Sequence, residues 1–288
     1  MRWSAVLAAA SAAEQPGQAA ARVPFHVAGV QVGSVARAHL PALRGWPQWL
    51  RVEAEAVTLT AAPGEREAAL AEVHAALRAL GHIRAWRDEP FPLFDPHTGA
   101  MLATMERAAA RFWGSLTLGA HANGYVADAQ GRPTHLWIAQ RAFDKATDPG
   151  LYDNLIGGGV PTSQTPLQAL QREGWEEAGL NAAQMATVQA TAVLRLHRDV
   201  PEGRQLEDLH AYDLELPAGL LPQNQDGEVA GFHLLTVDEA LALAAGVSPR
   251  GRMTLDAALV TLAFGHRHGL LPAADHAALD AAGFMRAV

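Results

Sequence analysis

The chain has no cysteine, which excludes disulfides, thiolate metal sites and thiol nucleophiles and fits a reducing compartment. No apolar stretch approaches the roughly 18 to 20 residues that a membrane-crossing helix needs. No Lys/Arg-rich run is present to follow a phosphate backbone, and 30 acidic against 22 basic residues give a net charge of -8. Nucleic acid is therefore not an expected partner. Internal repeats and long low-complexity tracts are also missing, and the 13 histidines show no zinc spacing. The opening, MRWSAVLAAASAAEQPG, puts only Arg2 before a weakly apolar alanine run. A frayed or helical start is expected rather than a secretion signal, and the expected compartment is cytoplasmic.

What is present suffices for a packed core: 288 residues, 49% of them apolar. The stretches 24 to 36 and 52 to 60 alternate apolar and polar positions as strands do. Leu70, Val73, Leu77 and Leu80 recur at helical spacing and Gly81 follows, predicting a helix with a glycine stop. The aromatic, Pro-rich segment AWRDEPFPLFDPHTG (85 to 99) reads as the connection between an N-terminal domain, residues 1–104, and a second domain, residues 105–288. Strand-like stretches at 119 to 127, 134 to 141, 188 to 198 and 208 to 216, mixed with helices, predict an α+β or α/β/α layered second domain. Two helices near the end are well marked, one opened by the capping pair Thr236 and Glu239, the other carrying Leu255, Leu259 and Leu262 before Gly269.

The most informative segment is LIGGGVPTSQTPLQALQREGWEEAGL, residues 155 to 180. Thr165 suits an N-cap, Pro166 the first helical position and Gln168 the capping box, while Gly179 suits the stop. At about 100° per residue, Arg172, Glu173, Glu176 and Glu177 share one arc, with Ala169 leaving it open. Leu167, Leu170, Gly174 and Ala178 form an adjacent stripe that would face the core. Like charges at these spacings destabilise a helix by a few tenths of a kcal/mol per pair. Three carboxylates converging on one hard cation, Mg²⁺ or Mn²⁺, would remove that repulsion, whereas a plain solvated charged face would not. The preceding Gly157-Gly158-Gly159 turn lets backbone approach phosphate oxygens.

The segment resembles the Nudix box. With Gly158 as its first glycine, Arg172, Glu173, Glu176, Glu177, Gly179 and Leu180 fall on motif positions. Gln164 stands where the motif has Glu, and Gly174 where it has an aliphatic residue, at a cost of about 0.5 to 1 kcal/mol of helix stability. Further stretches, MERAAARFWGSLTLGAHANGYV (105 to 126), LWIAQR (136 to 141) and PGLYDNLIGGGVP (149 to 161) among them, look like the Nudix subgroup related to thiamine pyrophosphokinase. The resemblance implies a Nudix-type α/β/α sandwich with a mixed sheet, preceded by a smaller α+β domain with a substrate-specificity role. It also implies cleavage of a small-molecule diphosphate, above all thiamine diphosphate and its oxidised forms, to the monophosphate and phosphate.

Phosphoanhydride hydrolysis needs charge neutralisation and a positioned water. On this reading Glu173, Glu176 and Glu177 hold Mg²⁺ or Mn²⁺, Glu173 is the first candidate for water activation, and Arg172 orients the carboxylates. The resemblance places a further acidic ligand or base at Glu228. Gly158, Gly159, Asn123 and Tyr125 are the substrate-binding candidates. Trp113, Tyr125, Trp137 and the aromatics of 85 to 94 are weighed as stacking surfaces against the plainer role of core residues. His266 and His268 are read as surface residues. A nucleotide or other organic diphosphate as substrate, or a ligand sensor without turnover, are the alternatives. The intact glutamates argue against the sensor, and the oligomeric state is left open.

Overall fold

The computed structural model describes residues 3–14 and 21–287. Arg2 and the Gln- and Pro-containing part of the lead fall outside the described residues. The chain starts with helix α1 (Ser4–Ala10). Strands β1 (Arg22–Val27) and β2 (Val30–Ala36) then form an antiparallel hairpin. The alternating stretch 24 to 36 is thus two strands, turned by Ala28 and Gly29 at φ 53° and 80°, the paired positive φ that matches strand twist. Helix α2 (Leu40–Leu43) and strands β3 (Leu50–Val52) and β4 (Val57–Leu59) follow, giving a sheet of order β2-β1-β4-β3.

Helix α3 (Arg66–Ala79) buries Leu70, Val73 and Leu77 in the same core and is followed by Gly81 at φ 77°. The segment expected as a connection contains β5 (Pro90–Phe94), which pairs with β6 (Met101–Glu106) as a separate ribbon. Helix α4 (Arg107–Trp113) ends at Gly114 in the left-handed region. Trp113 stacks on Phe25 at 4.1 Å and donates its Nε1 proton to His74 Nε2 at 2.8 Å. Burial pushes His74 down to about 3, so the ring stays a neutral acceptor. This first core runs from Val23 to Trp113.

The second unit is built on a mixed sheet. Its strands are β7 (Leu116–Ala127), β8 (Pro133–Arg141), β9 (Tyr152–Asp153), β10 (Ile156–Gly159), β11 (Gln189–Val200), β12 (Gly203–Glu215), β13 (Val229–Thr236) and β14 (Met285–Arg286). The order is β13-β8-β7-β12-β11-β14, with β10 beside β7 and β9 beside β8. Only the β7–β12 pair is parallel among these strand pairs. Helix α5 (Pro166–Ala178) packs over Ala120, Ala122, Tyr212 and Leu214 on one face. Helices α6 (Val237–Ala244) and α7 (Leu255–Arg267), with α1, cover the other. Helix α8 (Ala273–Ala282) closes that side through Leu279. The expected α/β/α sandwich with a mixed sheet is therefore present. Trp3 is fully buried in this second core, so the beginning of the chain folds onto the second unit.

Two details set up the site. Strand β7 changes partner at Asn123: Gly119 to Ala122 pair with β10, and Gly124 to Ala127 with β8. The loop entering α5 is also tied to the first unit, because Thr162 donates from both its backbone N and its Oγ1 to the Pro90 carbonyl, each at 3.0 Å.

Candidate active site

Helix α5 begins and ends as its sequence dictates. Thr165 Oγ1 accepts from Gln168 N at 3.3 Å, Gln168 Oε1 accepts from Thr165 N at 2.9 Å, and Gly179 takes φ 67°. A cap of this kind is worth about 1 kcal/mol, and burying Leu170 adds about 1.5 to 3 kcal/mol. Together these outweigh the few tenths per like-charge pair. The packing of the helix differs from the amphipathic reading in one respect. Ala169 is fully buried and Leu167 is 41% exposed, so the buried arc is centred on the carboxylates rather than beside them. Glu173 and Glu177 point inward, 9% and 8% exposed, and Glu176 sits at the rim.

Arg172 organises this cluster. Its Nη2 donates to Glu173 Oε1 at 2.8 Å, its Nη1 to Glu176 Oε2 at 2.6 Å and its Nε to Gln164 Oε1 at 3.2 Å. The motif departure at residue 164 thus keeps an acceptor for the arginine and drops a charge. Glu177 instead accepts from Gly157 N at 2.9 Å. Burial raises the Glu173 carboxyl above its ordinary range, against the pull of Arg172. Burial, reinforced by Glu173, raises Glu177 well above its range despite the Gly157 amide.

Each glycine of the triplet has its own neighbour. A Cβ on Gly157 would lie 2.7 Å from the His121 ring, one on Gly158 2.2 Å from Glu173 Oε1, and one on Gly159 2.6 Å from Phe91 Cζ. Gly158 therefore makes room for the carboxylate itself. Gly158→Ala is expected to displace Glu173, whose Oε1, Cδ and Cγ would lie 2.2, 2.4 and 2.7 Å from the added Cβ. Turnover should drop by about 100-fold or more, and a variant as active as the parent would contradict this role. Gly174, the other motif departure, also has a packing reason. Its Cβ would come within 3.1 Å of Met185 Sδ and 3.2 Å of Ile156 Cδ1, so Met185 fills the volume that an aliphatic residue would take.

The donor set suits Mg²⁺ or Mn²⁺. Carboxylate oxygens are hard ligands, and two carboxylates raised by burial, Glu177 further by Glu173, are anions a divalent ion would stabilise. Their geometry here is more open than the sequence suggests: Arg172 holds Glu173 and Glu176, and Glu177 turns to Gly157. Among the described residues, the only His/Asp/Glu trio with ligand atoms within 4.8 Å of one another is His266, His276 and Asp280.

Glu228 lies at the same site, ion-paired to Lys145 and 3.8 Å from Arg87. Burial alone would raise its pKa, but the Lys145 hydrogen bond and charge, with Arg87 and Arg141, bring it below the ordinary value. Lys145 opposes the rise of the Glu177 pKa; against burial, Asp153 and Glu177 raise that of Arg141, and Arg141 Nη1 donates to Asp153 Oδ2 at 3.0 Å. Sequence reasoning missed Lys145, Arg141 and Asp153. For Lys145 a signal was there, since it is the only lysine in the chain.

Two substrate-binding candidates lie outside the glycine cleft. Asn123 is 2% exposed; its Nδ2 donates to Val260 O at 3.2 Å and its Oδ1 accepts from Asn154 Nδ2 at 3.0 Å. Its amide is spent filling the place where β7 changes partner. Tyr125, two residues along the same strand face, packs on Phe264 at 5.4 Å and donates to Glu215 at 3.4 Å, under α7. Only His121 from that face reaches the cleft. Trp137 is a core residue beside α5. His266 and His268 are half-buried and tied down: His266 Nε2 meets Asp280 Oδ1 at 2.8 Å, and His268 Nε2 meets Asp213 Oδ2 at 3.1 Å. They are inter-element clamps rather than free surface residues.

The cleft beside these groups takes in Gly157, Gly158, Gly159, His121, Asp153, Arg141, Glu207 and Asp256 from the second unit. Its other wall is Arg84, Ala85, Arg87, Arg107, Ala108 and Arg111 from the first. Glu207 is raised above its ordinary pKa by burial and then by Asp256.

Residues 5–116 match a domain of unknown function (DUF4743), and residues 117–256 match the NUDIX domain. The chain is 33% identical over 219 residues to Nudix hydrolase 20, chloroplastic, from Arabidopsis thaliana, covering 76% of this chain and 57% of that protein. It is 36% identical over 211 residues to Nudix hydrolase 24, chloroplastic, from the same plant, covering 73% and 56%. The chain thus spans little more than half the length of these curated relatives. Among solved structures, a crystal structure of a Deinococcus radiodurans protein is 21% identical and covers 61% of this chain and 99% of that chain, with a TM-score of 0.46.

Proposed function

We propose that this chain, which carries a NUDIX domain behind a DUF4743 domain, hydrolyses the phosphoanhydride bond of a small organic diphosphate with Mg²⁺ or Mn²⁺ held by Glu173, Glu176 and Glu177. The observation that carries the reading is the pair of buried carboxylates, Glu173 and Glu177, packed on the glycine strand that opens into an arginine-walled cleft. Divalent ions bound there would supply charge neutralisation at the phosphates and an acidified water. Glu173 is the first candidate to take the proton of the attacking water. Arg172 fixes Glu173 and Glu176 in position, and the Gly157 amide fixes Glu177. Water adds to the terminal phosphorus, the bridging P–O bond breaks, and the products are the organic monophosphate and phosphate.

Within that class we favour thiamine diphosphate and its oxidised forms, on the resemblance of residues 105 to 161 to the thiamine pyrophosphokinase-related subgroup. Two features suit a small diphosphate better than RNA or a membrane-bound substrate. The net charge is -8, and among the described residues no helix is long and apolar enough to cross a membrane. The test is phosphate release with Mg²⁺ from thiamine diphosphate, its oxo and oxy derivatives, ADP-ribose and nucleoside triphosphates. The thiamine compounds are expected to lead. Nucleotides cleaved far better than every thiamine compound would overturn the substrate and leave the reaction class standing.

A further inference from the structure

Resting on that reading, we propose that the first unit supplies a phosphate subsite of its own, in which Arg87, Arg107 and Arg111 grip the diphosphate from the side opposite the carboxylates. The two walls differ in charge, although Arg141 also stands on the second unit's wall. Every charged residue on the first unit's wall is an arginine, whereas Asp153, Glu207 and Asp256 stand on the second unit's wall. A chain of net charge -8 with 22 basic residues places five arginines, counting Arg141, around one cleft. A diphosphate bound between the walls would meet guanidinium forks from the first unit, the geometry that pairs with phosphate oxygens, while the α5 carboxylates lie behind the glycine strand that edges the cleft.

The backbone is shaped for this approach. Gly159 has Arg107 against it, since a Cβ there would lie 3.1 Å from Arg107 Cζ, and the adjoining Gly158 has Glu173 against it. Consecutive strand positions face opposite sides, so Glu173 lies against one face of β10 and Arg107 against the other. Thr162 anchors the following loop to Pro90. Gly203, the first residue of β12, takes φ 139°, and its Cβ would lie 2.1 Å from the Arg111 carbonyl, so the end of α4 is also seated by a glycine.

The arginines retain donors for a ligand. Arg107 Nη1 is paired to Glu89 at 2.8 Å and its guanidinium lies over Phe91 at 5.1 Å, leaving the remaining N–H groups of a 37% exposed side chain. Arg111 approaches Glu202 at 3.6 Å and Arg87 approaches Glu228 at 3.8 Å, contacts longer than a hydrogen bond that a phosphate can displace.

The test uses the full chain and two readouts. Binding of imidodiphosphate, a non-hydrolysable diphosphate, is measured by calorimetry in EDTA, which silences the carboxylate side. KM and kcat are measured with Mg²⁺ on the best substrate. Arg107→Gln with Arg111→Gln should weaken imidodiphosphate binding and raise KM, each by at least about tenfold per arginine, with kcat within a few-fold and Mn²⁺ affinity unchanged. Arg107→Lys with Arg111→Lys keeps charge and bulk, and should recover part of the loss; it decides the matter if the glutamine pair does not fold. Unchanged imidodiphosphate binding and KM, or a fall in kcat alone, would overturn the subsite. A parent protein that binds imidodiphosphate through these arginines but hydrolyses no organic diphosphate would overturn the hydrolase reading instead.

Discussion

Replacing Glu177 by glutamine is expected to lower turnover by about 10² to 10³-fold, the several kcal/mol of transition-state stabilisation that a misplaced metal forfeits. The same change should raise the melting temperature in EDTA. Burial, then the Glu173 charge, lifts the Glu177 pKa in the fold, and the Gly157 amide only partly opposes them. A carboxyl whose folded pKa exceeds its unfolded value contributes stability that is complete below the unfolded pKa and is lost as pH rises through the folded one. At neutral pH the metal-free parent therefore carries the penalty of a buried anion. Glutamine imitates the protonated form and still accepts from Gly157. The stabilisation should be largest at neutral pH and shrink as the solution is acidified, and Mg²⁺ should raise the melting temperature of the parent far more than that of the variant. Phosphate release and melting curves across pH check both halves. Retained activity would sink the ligand role, and a variant less stable than the parent in EDTA would sink the buried-charge account.

Gly203→Ala is expected to be the most damaging of the single-methyl insertions, at about 3 kcal/mol or more. A residue with a side chain is strained at φ 139°, which costs about 1 to 3 kcal/mol, and the added Cβ would sit 2.1 Å from the Arg111 carbonyl and 3.2 Å from Phe112 Cα. Those are backbone atoms, so no rotamer change relieves the contact, and α4 must move away from β12 as a whole. Gly219→Ala is the comparison: nothing lies within 4 Å of its Cβ, and its effect should stay within about 1 kcal/mol. Chemical denaturation of the two variants measures the difference. If Gly203→Ala cost no more than Gly219→Ala, the close approach of the two units would not be a constraint.

Much of α5 was legible in the sequence, because caps, a proline at the first position and a glycine stop act locally and survive tertiary context. The orientation of the helix was not. Counting apolar residues put Leu167 inside and left Ala169 open, yet the glycine strand accepts carboxylates that an apolar wall would reject, so the helix rolls Glu173 and Glu177 inward. That Asn123 and Tyr125 lie outside the glycine cleft was not legible, because period-two alternation shows which residues share a face but not where α7 lies over it. Gly174 looked like a bare loss of helix stability until Met185, eleven positions later in the chain, proved to fill its space. The arginine wall was invisible for a related reason. Its members are spread from residue 84 to residue 111 and form no run, so only the fold of the first unit brings them to one cleft.

The lone lysine also determines how the protein can be addressed chemically. Apart from a terminal amine, an amine-directed reagent has a single side-chain target in this sequence. That target is 11% exposed and engaged with Glu228, whose neighbours are Arg87 of the first unit and, through Lys145, the carboxylate of Glu177. Lysine acylation or methylation, which on most surfaces scatters over many positions, would here amount to a site-selective probe of whether the walls of the cleft are joined or apart.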